Sequence, residues 1–509
     1  MKNCYFLRKA EGSGPDFFVV GTGIKRISAI DIAARVPQRR QAPSPFLFYV
    51  LAFSIVPLQQ EFMASKPNPV PGYPPAYDEI PSLTIPPGLE ILAAHWFFRH
   101  GERTPVRERL THLGIPSRWN MCSAGRVFAA GVLNDPDLHA LPDGKKQDAQ
   151  LMLLRKRIEY GADNSARKGG ENECAWGELT DLGRLSTLRL GKKLRELYVD
   201  KLGLLPPILD SENEDIVYLR STPIPRAFES LQQALHGLYP RQDSSYIPTC
   251  YVRGPNDESL YPNTTCPALR ALDQESSKKA AEIYNSQLLE PLDNKIAQLV
   301  GVPVRIDSHP SANGVYDSVK ACQAHGLAVP KELIDPAVTH PMEKAIVKEW
   351  FMGYSNLQFS RLAMGRLLGD LSARLQERVM NPTTDKLRLA LYACHDTSVG
   401  GILNALQCFD NKWPAFTAYL SFELFQKAKD RTPSSWLAGL GFGRARPDFY
   451  DYYVRIRYDS KDLRLPFCSQ PGKHLEGSNG TVCTLQAFKD AVKDISMTSE
   501  QWERECKGV

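Results

Sequence analysis

Charge of one sign is what this 509-residue chain has least of. Its 62 Lys and Arg stand against 57 Asp and Glu, and residues 1–62 hold eight basic and four acidic side chains, so only +1 of the net +5 lies beyond them. A body this close to neutral argues against nucleic acid as a partner. Paired Cys-x-x-Cys spacing is also missing among the eleven cysteines, which argues against a zinc site and leaves disulfides or free thiols. Membrane-spanning length is missing too. The uncharged apolar run Phe46 to Val56 has eleven residues, against the roughly 20 that cross a bilayer as a helix.

Arg39 and Arg40 precede that run in the order of a signal peptide's charged and hydrophobic regions, although the segment before them is too long for one. Three readings compete for residues 1–62: a signal anchor giving membrane association through Phe46 to Val56, a basic organelle-targeting extension, or an upstream sequence that the mature protein lacks because synthesis starts at Met63. Residues 63–88 are rich in proline (Pro67, Pro69, Pro71, Pro74, Pro75), which cannot join a helix or a central strand and reads as an extended linker.

Beyond the linker, apolar periodicity defines the core. Leu89 to Phe98 has no helical stripe and reads as a buried strand. Thr180 is placed to cap a helix through about Lys201, with leucines at three- and four-residue intervals and Gly203 to stop it. Ile216 to Leu219 reads as a strand, followed by a helix starting on Pro225; Leu387 to Ala393 reads as another, followed by a helix through Leu406. Tyr419 to Phe425 and Tyr452 to Tyr458 read as later strands. Between Tyr246 and Pro341 the strands give way to helical, charge-rich runs such as Glu275 to Val300. The fold class is α/β, a layered core with a mostly parallel central sheet flanked by helices.

The chemistry concentrates in Arg99-His100-Gly101-Glu102-Arg103-Thr104-Pro105, which follows the first strand and sets an imidazole between two guanidiniums. That is a place to hold a phosphate and attack it. At average residue usage the five fixed positions coincide by chance in roughly one 500-residue chain in ten thousand, so a plain basic loop is the poorer reading. Three further blocks follow in order: Gly177-Glu-Leu-Thr-Asp-Leu-Gly183, Tyr218-Leu-Arg-Ser-Thr-Pro-Ile-Pro-Arg226 and Leu391-Tyr-Ala-Cys-His395-Asp396-Thr397. His100, Arg226 and His395 all follow expected strands at their carboxyl ends, where one crevice of an α/β sheet collects active residues.

These four blocks resemble the histidine acid phosphatases, with their RHGxRxP and HD motifs, and the resemblance runs from about Leu89 to the C-terminus. It implies an α/β core over residues 89–245 and 342–509, interrupted by a mainly helical cap over 246–341. It also implies a metal-independent acid phosphomonoesterase, without cofactor, that works through a phosphohistidine. His100 would be the nucleophile, with Arg99, Arg103 and Arg226 binding the phosphate through their planar donor forks. His395 would donate a hydrogen bond to a transferring oxygen, and Asp396 would protonate the departing alkoxide. Arg220 reads as an ordinary strand-end residue, Glu102 more readily as the partner of a nearby arginine than as a leaving-group selector, and Cys394 as a buried thiol.

The same resemblance implies disulfides Cys266–Cys506 and Cys468–Cys483; Cys122 and Cys174 flank an apparent insertion and make a candidate third pair. Tyr419 stands where some family members carry another cysteine, so one family bridge is missing. Tripeptides at Asn263 and Asn479 have the N-glycosylation pattern, for which non-use is the default reading. The expected compartment is the secretory pathway, extracellular or membrane-anchored, with mitochondria as the alternative.

Phe409 to Phe416, Glu423, Leu260 to Asn263 and Gln323 to His325 resemble the lysophosphatidic acid phosphatases of this family more than its phytases or prostatic-type enzymes. A lysophospholipid monoester is therefore the small phosphate ester the resemblance implies. Sugar and inositol phosphates stay open as substrates, because residues that grip phosphate do not read the alcohol. A non-catalytic member binding phospholipid or protein would normally lack His100, an arginine or Asp396, and all are present. A mutase of the same superfamily is disfavoured by the HD motif and the large cap. Oligomeric state is left open.

Overall fold

Leu89–Arg99 forms the strand its pattern suggests, β1, with its last seven residues all buried. A computed structural model describes residues 84–133, 149–161, 167–240, 246–428 and 447–507. The expected leader over 1–62, with Phe46 to Val56, and the linker up to residue 83 lie outside the described residues, which all belong to one unit, Asn68–Val509. After β1 come two hairpins, β2 (Val127–Leu133) with β3 (Ala149–Arg155) and β4 (Glu159–Tyr160) with β5 (Arg167–Lys168).

Helix α1 (Asp181–Leu194) starts where Thr180 accepts the Gly183 N–H on its hydroxyl at 3.2 Å. A π-helical turn, Arg195–Lys201, carries it on to the expected end, and Gly203 takes the left-handed conformation (φ 57°) just beyond. β6 (Val217–Ser221) leads into α2 (Pro225–Leu238), with Pro225 in its first turn. A short edge strand, β7 (Cys250–Val252), pairs with β6 inside the stretch expected to hold no strands; three residues are too few for an alternating pattern to register.

Helices α3 (Pro267–Tyr284), α4 (Asp293–Val300), α5 (Ala312–Ala324), α6 (Lys331–Ile334) and α7 (Pro336–Phe351) follow, and Ala280, Ile296, Val315 and Ile346 share a core among them. Next come α8 (Leu357–Met380), β8 (Leu389–Cys394), α9 (Asp396–Ala405), β9 (Tyr419–Lys427), β10 (Tyr452–Tyr458), β11 (Lys461–Asp462), β12 (Val482–Thr484), α10 (Leu485–Lys493) and α11 (Ser499–Lys507).

The central sheet runs β11-β10-β9-β1-β8-β6-β7, with β12 also on β10. β1, β8, β6 and β7 are mutually parallel, and β9 runs antiparallel between β1 and β10, so five of the eight strands point the same way. Alternation along β1 sends Trp96 and Phe98 to one face, against Leu190 and Leu194 of α1 and Leu231 and Leu238 of α2. Phe97 goes to the other, in a core with Leu367 and Leu371 of α8 and Ile402 of α9. The result is the helix–sheet–helix layering expected of an α/β chain.

Three cysteine pairs stand at disulfide distance: Cys122–Cys174, Cys266–Cys506 and Cys468–Cys483, with Cα separations of 5.2, 5.1 and 5.5 Å. Of the two glycosylation tripeptides, Asn263 is internal. Its amide donates to the carbonyls of Pro255 (2.8 Å) and Glu258 (3.0 Å), while Asn479 is exposed in a turn.

The loop after β1 packs backbone-to-backbone on the first turn of α1. A Cβ on Gly101 would overlap the Gly183 carbonyl, and one on Gly183 would overlap the Glu102 carbonyl and lie 2.6 Å from its nitrogen. Gly183→Ala is therefore expected to lower stability by about 1–3 kcal/mol, read from the urea midpoint. An alanine variant with a wild-type midpoint would show the contact to be looser than this.

Candidate active site

Three neighbouring parallel strands end side by side, and the chemistry hangs from those ends. Arg99 is the last residue of β1 and His100 follows it; His395 and Asp396 follow β8; Thr222 follows β6, four residues before Arg226 in the first turn of α2. The ladder continues past the strands: the His100 N–H donates to the Cys394 carbonyl at 3.0 Å, and that of Thr222 to Ala393 at 3.2 Å. Gly101 N–H donates to Ser230 Oγ (3.1 Å), whose hydroxyl donates to the Arg226 carbonyl (2.7 Å), so α2 is tied to the same loop.

His100 is 1 % exposed, and its Nδ1 lies 2.9 Å from the Gly101 carbonyl. A carbonyl only accepts, so Nδ1 carries the hydrogen and Nε2 keeps its lone pair. Burial, then the charge of Arg226, then that of Arg99, hold this imidazole well below its usual pKa range, with His395 and Arg103 adding to the effect. Both influences favour its neutral form. His395, its ring centroid 5.5 Å from that of His100, is held well below the usual range by burial and by Arg226, and its Nε2 meets the Thr222 hydroxyl at 3.0 Å.

Asp396 pairs with Arg99, Oδ2 to Nη2 at 2.8 Å. Burial alone would raise its pKa; Arg99, His395 and Arg103 outweigh that and hold it below the ordinary carboxylate range. Arg99 also donates from Nη1 to the Pro414 carbonyl (2.7 Å) and lies over the Phe416 ring at 4.2 Å. Arg103 donates to Asp317 (2.8 Å) and to the Thr104 carbonyl (2.9 Å). His100, His395, Asp396, Arg99, Arg103 and Arg226 thus act on one another electrostatically within one buried cluster. Among the described residues, no group of three or more His, Cys, Asp or Glu side chains is placed to hold a metal ion.

The neighbours are placed as follows. Arg220 is buried on Glu258 at 2.7 Å and Ser259 at 3.1 Å, in keeping with a structural role. The Glu102 carboxylate accepts from the Ser186 hydroxyl at 2.6 Å. The Cys394 thiol is buried, and burial pushes it up to about 12. Sequence reasoning had not singled out Thr222, Phe416, Pro414 or Asp317. The first three lie within blocks quoted for their resemblance, where attention went to the charged residues. Asp317 meets its partner Arg103 across 214 positions, a distance no local pattern spans.

Residues 90–459 match the model of the histidine phosphatase superfamily (branch 2). A probable acid phosphatase of Schizosaccharomyces pombe is 34% identical over 466 residues, covering 85% of this chain and 97% of that protein. Lysophosphatidic acid phosphatase type 6 of Mus musculus is 25% identical, covering 82% of this chain and 88% of that one. The crystal structure of a phytase from Klebsiella sp. ASR1 aligns with 81% of this chain and 98% of its own at a TM-score of 0.47 and 12% identity. The family match over residues 90–459 and the 34% identity across nearly the whole Schizosaccharomyces pombe protein show that the chain belongs to branch 2 of the histidine phosphatase superfamily and is a phosphomonoesterase.

Proposed function

We propose that His100 is the nucleophile of this phosphatase, that Arg99, Arg103 and Arg226 bind the phosphate, and that His395 and Asp396 complete the reaction. One observation carries the reading: a buried imidazole whose Nδ1 is bound to the Gly101 carbonyl, leaving Nε2 available, with three guanidiniums acting on it that favour its neutral form. In the first step Nε2 attacks phosphorus, the ester P–O bond breaks, and Asp396 delivers a proton to the leaving oxygen, giving a free alcohol and phosphohistidine. In the second, water attacks phosphorus while the Asp396 carboxylate takes its proton; the N–P bond breaks, inorganic phosphate leaves, and the lone pair returns to His100. The arginines offset charge spread over the three equatorial oxygens, and His395 adds one donor, worth about 10²-fold. Residues 246–341 are proposed as a cap over this site, a reading supported by the reach of Asp317 in α5 to Arg103.

The proposed substrate is a lysophospholipid phosphate monoester. Support comes from the motif blocks shared with lysophosphatidic acid phosphatases and from the relative of that name. The three cysteine pairs fit an oxidising, secreted or lumenal setting.

Purified protein is expected to turn over p-nitrophenyl phosphate, and His100→Ala to abolish turnover without loss of folded protein; equal turnover by the variant would sink the reading. Asp396→Asn should cost about 10²–10⁴-fold on alkyl phosphates and less on p-nitrophenyl phosphate, whose phenolate leaves without a proton.

The first step needs neutral His100 and protonated Asp396. With both pKa values lowered, kcat/KM falls as pH rises from 5 to 9; a steady rise over that range contradicts the assignment. A bound phosphate dianion offsets the charge of Arg99 and Arg103 and so raises Asp396, which places the falling limb of kcat at higher pH than that of kcat/KM. Across lysophosphatidic acid, phytate and sugar phosphates, kcat/KM should be highest for the lysolipid; a clear preference for either alternative would overturn the substrate.

A further inference from the structure

We infer that Asp317, on α5, is a positioning residue for phosphate capture: it sets the orientation of the Arg103 guanidinium. The inference rests on the reading that Arg103 grips phosphate. An arginine on a loop is a long side chain with many rotamers, and aiming its fork at one ligand loses that freedom unless something holds it beforehand. Asp317 does so with both oxygens. Oδ1 accepts from Arg103 Nη2 at 2.8 Å and Oδ2 accepts from the Val106 backbone N–H at 3.1 Å, so one carboxylate fixes both the guanidinium and the main chain three residues on. From the other side Arg103 Nη1 donates to the Thr104 carbonyl at 2.9 Å. Both side chains are largely buried, 7% exposed for Arg103 and 14% for Asp317.

The helix that carries Asp317 is itself anchored to the same loop at a second point. His325, at the end of α5, donates from Nδ1 to the Ala321 carbonyl (2.7 Å), which leaves Nε2 to accept the Thr180 hydroxyl (2.8 Å). Thr180 N–H in turn donates to the Glu102 carbonyl at 3.1 Å. Eight residues separate Asp317 from His325, about 12 Å along a helix, so α5 braces the loop at two separated points. Asp317 is thus presented from a rigid element, the requirement for holding a binding group to within a fraction of an ångström.

A carboxylate beside an anion site has an electrostatic drawback, and this gives the test its sign. If Asp317 were no more than a nearby negative charge, neutralising it would tighten phosphate binding. If it positions Arg103, neutralising it weakens binding, because the fork is no longer aimed.

The experiment measures inhibition of the full-length enzyme by inorganic phosphate, alongside kcat and KM for p-nitrophenyl phosphate. Asp317→Asn is expected to raise Ki about tenfold and to lower kcat/KM by at least as much, since Arg103 also meets the transition-state charge, and Asp317→Glu to recover part of the loss. In an Arg103→Lys background, which has no planar fork, Asp317→Asn should change Ki less than about twofold. A lower or unchanged Ki in Asp317→Asn overturns the inference, as does a full tenfold shift persisting without Arg103. Should the Asn variant not fold, Asp317→Glu, which keeps the charge but moves it by one methylene, must still raise Ki, and a wild-type Ki there overturns it. Wild-type phosphate affinity in Arg103→Ala would instead remove the underlying reading of Arg103.

Discussion

The proposed chemistry turns on one physical constraint, the pressure of burial and neighbouring cations against protonation of the His100 imidazole. A free histidine has a pKa near 6.5 and is mostly protonated, hence useless as a nucleophile, at the pH where a carboxylic acid is still available to donate its proton. Burial and the guanidiniums of Arg226, Arg99 and Arg103 lower His100, and Arg99 and Arg103, with His395, also lower Asp396, so the window for the first step shifts toward acid. In the proposed reaction the cations that lower His100 would also attract the phosphate dianion, whose charge would in turn loosen their hold on Asp396. Binding and acid–base chemistry are one electrostatic arrangement.

Such crowding of like charge needs a scaffold that holds it. The adjacent carboxyl ends of β1, β8 and β6 deliver Arg99, His100, His395, Asp396 and Thr222 from backbone fixed in a sheet. Arg99 is held by Asp396 and the Pro414 carbonyl, Arg103 by Asp317 and the Thr104 carbonyl, and α2 is tied to the loop through Ser230. The near contact of Gly101 with Gly183 brings the loop onto α1, which is why two separate motif blocks carry glycine at those positions. The arginines meet main-chain carbonyls as well as carboxylates, so repulsion among them is offset locally before any substrate arrives.

Much of this was legible in the residues. The strands and helices that carry chemistry have strong signals: the leucine stripe after Thr180, Pro225 opening α2, the apolar runs of β1 and β8. The six site residues sit in motif blocks, and the structure brings all six together. What escaped did so for physical reasons. β7 is three residues long and lies at an edge, so periodicity had nothing to work on. Asp317 has an ordinary helical setting, and its meaning comes from a loop far away in sequence. The leaving group reads least well, because residues that grip phosphate do not read the alcohol.

The central claim is a covalent bond between phosphorus and His100 Nε2. Mixing enzyme with p-nitrophenyl phosphate, whose phenolate leaves without a proton from Asp396, quenching within milliseconds in strong base, and mapping the modified peptide by mass spectrometry tests it directly. The account predicts one phosphoryl group on the peptide containing His100, stable in base and lost in acid, in an amount that rises when water attack is slowed by replacing Asp396. A phosphoryl group on another residue, or none during steady turnover, would contradict it.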